Sequence, residues 1–312
     1  MMLQAKPAIP ACRRARTPGE LRACFAGLRS DESLRAALSF VPVPTDVFVS
    51  TWARCGTTWT QQIVHGLRTG GDMGFSSISV VVPWLESAVD MGLDPNAPQV
   101  AAPRAFKTHL REGTLPKGGR RLAVVRDPAD VLVSYYHFLE GWLFEPGSIS
   151  LDAFTREVFL AGAGGEGGYY GWLVSWLPQL GAPDTLFHAY EDYHDDLPGC
   201  VQRIARFMDC DGDDGVLDVV IRQASMAFMR THRAQFDDRT FRVARAAAMG
   251  LPNEVPTSIL RAGRRGDGAA ALSPALNALL EQRWAEVVAP RTGLRRWADV
   301  CQIIHESWGT LP

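Results

Sequence analysis

Four stretches of the chain put polar or charged side chains where an apolar run ends, the place at which a buried strand delivers groups to a ligand. The first is Arg54-Cys55-Gly56-Thr57-Thr58-Trp59, directly after the β-branched run 46–51. A helix start carries backbone N–H groups without intrahelical partners, and these hold a phosphate if no side chain blocks the approach. Gly56 leaves that approach open, Thr57 and Thr58 add hydroxyl donors, and Arg54 brings a permanent charge. An ordinary strand-to-helix turn with capping threonines would use the same residues, so local chemistry leaves both readings open. The segment contains no GxxxxGK[ST], and without that Lys or an acidic Mg²⁺ holder it argues against an ATP-dependent kinase. Lys107-Thr108-His109 is the second stretch. A His ionises near neutral pH and can take a proton from a hydroxyl nucleophile, although a single His among seven is equally at home as a structural residue. Third come Arg126 and, two turns into the next helix, Ser134, which would converge on one anion. Their plainer roles are an ion pair with Asp127 or Asp130 and a bond to the local backbone. Tyr190, ending the run 184–190, is the fourth.

These residues need elements to hold them. The runs 46–51, 104–109, 121–126 and 184–190 predict short buried strands. Helices are predicted from Trp59 to about Leu67, from Pro128 onward with Asp127 as N-cap, over 197–208 at amphipathic period, and over 274–288. Two short helices fall at 19–30 and 31–40. Strands alternating with helices indicate an α/β fold with a mainly parallel central sheet flanked by helices. Residues 1–18 read as a loose Pro/Arg-rich arm, 230–270 as a long irregular segment with a lid over 236–256, and the whole of 1–312 as one domain.

A net charge of -2 gives no general bias toward nucleic acid or anionic lipid, so an anionic ligand needs a local cation cluster. Of the 32 basic residues only Lys6, Lys107 and Lys117 are lysines, which makes each Lys informative. The six cysteines show no paired or Cys/His ligand spacing, so neither a disulfide framework nor a metal site is expected. No apolar stretch approaches the ~18 residues of a spanning helix, and the N-terminus leads into no apolar signal region. The expectation is a cytoplasmic protein without a membrane span.

The ordered set of stretches resembles the cytosolic sulfotransferase family. The segment DVFVSTWARCGTTWTQQIV is similar to that family's 5'-phosphosulfate loop, usually Tyr-Pro-Lys-Ser-Gly-Thr-Thr-Trp. Gly56, Thr57, Thr58 and Trp59 match it, while Arg54 replaces the usual Lys and Cys55 the usual Ser. Phe106-Lys107-Thr108-His109 resembles the catalytic strand, and Arg126 through Phe138 the 3'-phosphate motif with Arg126 and Ser134. Tyr190 matches the Tyr-Glu-Asp segment. Ser225 lies in the next family segment, with Met226 in place of its stacking Phe. Residues 261–268 resemble Arg-Lys-Gly-x-x-Gly-Asp-Trp-Lys; Arg261, Gly263, Gly266 and Asp267 match, Ala262 and Gly268 do not.

The resemblance implies a P-loop-NTPase-like sulfotransferase fold. It implies in-line transfer of the sulfonate of 3'-phosphoadenylyl sulfate (PAPS) to a hydroxyl of a small, hydrophobic alcohol or phenol, with 3',5'-ADP leaving and no metal assigned. His109 would be the general base, with Arg54 and Lys107 neutralising charge. Arg54 through Trp59, Arg126, Ser134, Tyr190, Ser225, Met226, Arg261, Ala262 and Gly263 would hold the nucleotide, with Trp59 stacked on adenine. Trp84, Phe138, Trp142, Phe144, Tyr169 and Tyr170 are candidates for the acceptor pocket and equally ordinary core residues. Two alternatives stand beside this: a catalytically degenerate adenosine-bisphosphate-binding module, and a nucleotide-kinase-like phosphotransferase.

Overall fold

The computed structural model describes residues 13–162, 167–210, 214–252 and 267–310. Its centre is a four-stranded, all-parallel sheet of β1 (Val47–Thr51), β2 (Ala105–Thr108), β3 (Arg120–Val125) and β4 (Thr185–Ala189) in the order β2-β1-β3-β4. Val49 stands beside Lys107 on one side and Leu122 on the other, and Val124 beside His188. Nearly every strand residue is buried, as expected of a parallel sheet covered on both faces, and the four runs lack polar alternation for that reason.

The helices that matter for the site are α1 (Pro18–Ala26), α2 (Asp31–Leu38), α3 (Thr57–Thr69), α4 (Pro128–Trp142), α5 (Gly168–Trp176), α6 (Leu197–Phe207), α7 (Asp214–Ala224), α8 (Met226–Thr231), α9 (Arg239–Arg245), α10 (Pro274–Val287) and α11 (Trp297–Ser307). Local chemistry starts and stops them. Asp127 accepts from the N–H groups of Ala129 and Asp130, and Pro128 supplies the first position of α4. Gly70, at φ 69°, ends α3 in the left-handed conformation. Alternate strand residues feed two cores. Val47, Val49, Leu122, Val124 and Leu186 pack against α3, α6 and α7; Phe48, Phe106, Ala123 and Phe187 share a cluster with α4, α5, α10 and α11.

Two expectations need correction. Residues 253–266 of the segment 230–270 lie outside the described residues; its described part, expected to be irregular, carries α9 and short 3₁₀ turns, with Phe236, Phe241 and Met249 buried. Its helices are too short to show a periodic apolar stripe in sequence. The described end of the N-terminal arm is tied down: Ala15 is buried, its N–H donates to the Leu143 carbonyl at 2.9 Å and its own carbonyl accepts from Glu145 N–H at 2.9 Å. Among the described residues no helix is long and apolar enough to cross a membrane.

Candidate active site

The order β2-β1-β3-β4 reverses direction at β1, so the crevice of the sheet opens at the carboxyl ends of its central strands. All four ends carry a residue singled out from sequence: Arg54 and Gly56 after β1, His109 after β2, Arg126 after β3, and Tyr190 after β4. A cavity of about 420 Å³ there is lined by Arg54, Gly56, Thr57, Thr58, Trp59, Arg126, Tyr190 and Met226. Gly56 is required by geometry: it caps α3 at φ 92°, and an added Cβ would stand 3.0 Å from the Tyr190 ring. Arg54 is also left-handed at φ 71°, a costly conformation for a side chain with a Cβ, and one that recurs at ligand sites.

The two ends of this cavity touch. Arg126 Nη1 donates to the Arg54 carbonyl at 3.1 Å, and Arg54 Nε donates to Ser134 Oγ at 3.1 Å. Arg126 is only 7% exposed; its guanidinium lies 4.0 Å from the Tyr190 ring centre and 3.6 Å from Asp130, and among the described residues its Nε has no hydrogen-bond partner. An isolated buried donor of this kind suits an anion. Trp59 is almost wholly buried, edge-on to Tyr190, Tyr193 and His194, so only its margin reaches the cavity. Cys55 is fully buried and does not line the cavity; burial pushes its thiol far above the usual range. Ser225 spends its hydroxyl as the N-cap of α8, accepting from Phe228 N–H at 3.3 Å. Arg261, Ala262 and Gly263 lie outside the described residues. Gly268, the position where the resemblance implies Trp, lies against the start of α4: its N–H donates to Asp130 Oδ1 at 2.7 Å, and a Cβ would fall 2.4 Å from Asp130 N.

On the other side of His109 an aromatic cleft of about 790 Å³ runs under α9. Ring contacts link its wall in sequence: His109 to Trp84 at 5.0 Å, Trp84 to Phe241 at 4.7 Å, Phe241 to Trp142 at 6.1 Å, and Trp142 to Phe138 at 5.4 Å. Phe138 in turn lies 4.8 Å from the Arg54 guanidinium, so the aromatic wall joins the candidate base to the phosphate cavity. Trp84, Phe138 and Trp142 therefore line a cleft as expected, and Phe144, Tyr169 and Tyr170 do not. Phe144 packs on Tyr136 and Phe154, the Tyr169 hydroxyl donates to the Arg126 carbonyl, and the Tyr170 hydroxyl donates to the Leu280 carbonyl at 3.3 Å. All three are core.

His109 Nδ1 lies 2.7 Å from the Thr51 carbonyl oxygen. A carbonyl can only accept, so Nδ1 carries the proton and Nε2 keeps its lone pair. Thr51 Oγ1 is also 2.6 Å from Thr57 Oγ1, which ties the histidine's anchor to the helix start that forms the phosphate cavity. Burial lowers the His109 pKa, with Glu86 opposing and the Lys107 charge assisting. Lys107 is 2% exposed; its amine donates to both oxygens of Asp238 at 2.9 Å and to Ser79 Oγ at 3.3 Å. Burial alone would raise the Asp238 carboxyl, but the Lys107 charge and the Ser79 and Lys107 hydrogen bonds hold it below the usual range. Glu191, next to Tyr190, is pushed up to about 7 by burial, against the opposing hydrogen bonds and the Arg126 charge.

Glu86, Asp238 and Thr51 were not singled out from sequence. Glu86 is fully buried, and its Oε1 accepts the His109 backbone N–H at 2.7 Å. A carboxylate inside the apolar run PWLES was the signal available for it; Asp238, in a polar Asp-Asp-Arg stretch, offered none.

A sulfotransferase domain model matches residues 44–250. Sulfotransferase 1B1 of Canis lupus familiaris is 32% identical over 198 residues, covering 60% of this chain and 67% of the relative. Sulfotransferase 1A1 of Bos taurus is 27% identical over 289 residues, covering 85% and 91%. Among solved structures, a retinol dehydratase in complex with androsterone and inactive cofactor PAP aligns with a TM-score of 0.66 at 21% identity over 84% of this chain and 85% of that one. Mouse sulfotransferase SULT7A1 complexed with PAP aligns at 0.64 and 21% identity, over 89% and 94%. The likeness to these structures is one of fold. The domain match covers well over half of the chain, and the chain belongs to the sulfotransferase family.

Proposed function

We propose that the protein transfers a sulfonate group to a hydroxyl of a small, largely apolar alcohol or phenol, with His109 as general base. PAPS supplies the sulfonate when bound. Two features of the cavity fit its phosphates: Arg126 Nε lacks a partner among the described residues, and Gly56 keeps the floor open where any Cβ would press on Tyr190. The N–H groups and hydroxyls at Thr57 and Thr58 then face one phosphate, and Arg126 with Ser134 the other, an arrangement that asks mainly for positioning and charge stabilisation. Tyr190, Met226 and the margin of Trp59 would meet the adenine end. Arg261 and Gly263 are proposed there from resemblance alone. Arg54 and Lys107 carry positive charge on either side of the candidate reacting centre. Among the described residues, the buried thiols of Cys24, Cys55 and Cys200 are unbridged, which fits work in a reducing cytoplasm.

The observation that carries this reading is the fixed tautomer of His109, which lines the aromatic cleft and is joined through Thr51 by two hydrogen bonds to Thr57 of the phosphate cavity. Thermal melts with 3',5'-ADP and ATP, followed by labelled-sulfonate transfer to a panel of alcohols and phenols, test it. Ligand at 100 times its Kd should stabilise by about 2.7 kcal/mol. Stabilisation by 3',5'-ADP but not ATP, with His109→Ala abolishing turnover while still binding 3',5'-ADP, is expected. Equal response to ATP, or full transfer by H109A, would overturn it.

A further inference from the structure

Among the described residues that line the aromatic cleft are three cations, Arg29, Lys107 and Arg242, and one carboxylate, Asp238; the carboxylates nearest Arg29 and Arg242 are Glu86 and Asp237, outside the lining. Both Asp238 oxygens are already occupied by the Lys107 amine, and one also accepts the Ser79 hydroxyl. The other acids nearby stand behind the wall. Asp237 takes Arg242 Nη2, at 2.8 and 3.0 Å to its two oxygens, and the fully buried Glu86 turns Oε1 to the His109 N–H.

Arg242 is 8% exposed, and among the described residues its Nη1 has no hydrogen-bond partner. Leaving a buried donor of a charged group unmade is costly, and cores rarely do so without reason. Arg29 is three-quarters buried, with Glu86 Oε1 at 3.8 Å, beyond hydrogen-bond length and already engaged. A neutral oxygen could accept the open Arg242 Nη1–H, but a charge-assisted bond to an anion is the stronger one, and an amine would find no open carboxylate. A carboxylate matches the planar fork of a guanidinium with two oxygens.

Placement along α9 points the same way. The Arg242 N–H donates to the Asp238 carbonyl at 2.9 Å, so Arg242 stands one turn, about 5.4 Å along the axis, from the residue that clasps Lys107. Trp84, Phe241 and Trp142 supply apolar walls for a ring in the cleft that His109 and Arg242 both line.

We infer that the acceptor of this cleft is a hydroxy acid: a compact aromatic or alicyclic alcohol or phenol whose carboxylate pairs with Arg242 and Arg29. The inference rests on the sulfonate-transfer function proposed above and names its acceptor class.

The test compares 3-(4-hydroxyphenyl)propionate, its isosteric amide and tyramine as acceptors for the full-length enzyme with PAPS. The expected kcat/KM favours the acid over the amide by about tenfold or more, with tyramine poorest. Arg242→Met and Arg29→Met should each pull the acid-to-amide ratio toward one. Wild-type enzyme gives a second readout that needs no variant: added NaCl should raise KM for the acid and leave the amide's unchanged. An amide used as well as the acid, a ratio that survives both substitutions, or equal salt response of acid and amide would overturn the inference while sulfonate transfer stood. Failure to bind 3',5'-ADP together with no transfer to any acceptor would instead defeat the underlying function.

Discussion

The protonation of two side chains sets what this site can do at a given pH. His109 must be neutral at Nε2 to accept a proton, and burial lowers its pKa from the ordinary value near 6.5. The acid limb of the kcat/KM profile should therefore lie below pH 6.5; a limb at or above that value would contradict the assignment. Glu191 works in the opposite sense. Its folded pKa of about 7 is above the unfolded carboxyl value, so the folded state binds the extra proton and stability falls as pH rises from about 4.5 through 7. Glu191→Gln should melt higher than wild type at pH 8, with the difference fading by pH 5. Much of this scale was legible in the sequence, because Arg54, His109, Arg126 and Tyr190 each end an apolar run and so had to stand at a sheet edge. The partners that tune them were not. Glu86 meets His109 across 23 residues and Asp238 meets Lys107 across 131, and a carboxylate in sequence carries no mark of burial.

At the scale of elements, β2 and α9 are joined through Lys107 and Asp238. Removing one charge from a buried pair typically costs about 3–5 kcal/mol, because its partner is left in a poor medium. Asp238→Asn keeps a hydrogen-bonding group and should fall at or below the low end of that range. The expected result is a lower Tm with faster amide exchange over residues 239–245; unchanged exchange there would show that the pair does not hold the helix. With Asp238 held below its ordinary pKa, the pair's stabilisation is present above pH about 4 and lost in stronger acid. The four strands and α4 were readable from β-branched runs and from Asp127-Pro128. The roof formed by α8 and α9 was not, since 6 and 7 residues are too few for periodicity to register. The same limit explains Tyr169 and Tyr170: an aromatic residue on a helix declares that it is buried, not whether it faces a cleft or a core.

Across the whole molecule, the sheet order brings the phosphate cavity and the aromatic cleft to opposite sides of one threonine pair, Thr51 and Thr57. Strand number and parallel pairing followed from the alternation of strands and helices. What no composition could give was the fit between segments far apart in the chain, and Gly268 is the sharpest case. From motif matching it counts as a defect, since the resemblance implies Trp there. In the fold it lies so close to α4 that a methyl group would meet Asp130 N at 2.4 Å, and its N–H holds the carboxylate that neighbours Arg126. Gly268→Ala should lower Tm and weaken 3',5'-ADP binding together; a variant as stable and as tight-binding as wild type would refute the packing.

For anyone redesigning this enzyme, the consequence runs against habit. Repairing its least typical letter toward the kin's common spelling would jam the machine, because α4 has closed over the space that a tryptophan ring would occupy. Efforts to raise durability are better spent where the chain is roomy and its backbone is not left-handed, as at Gly113, than at a seam it has drawn tight.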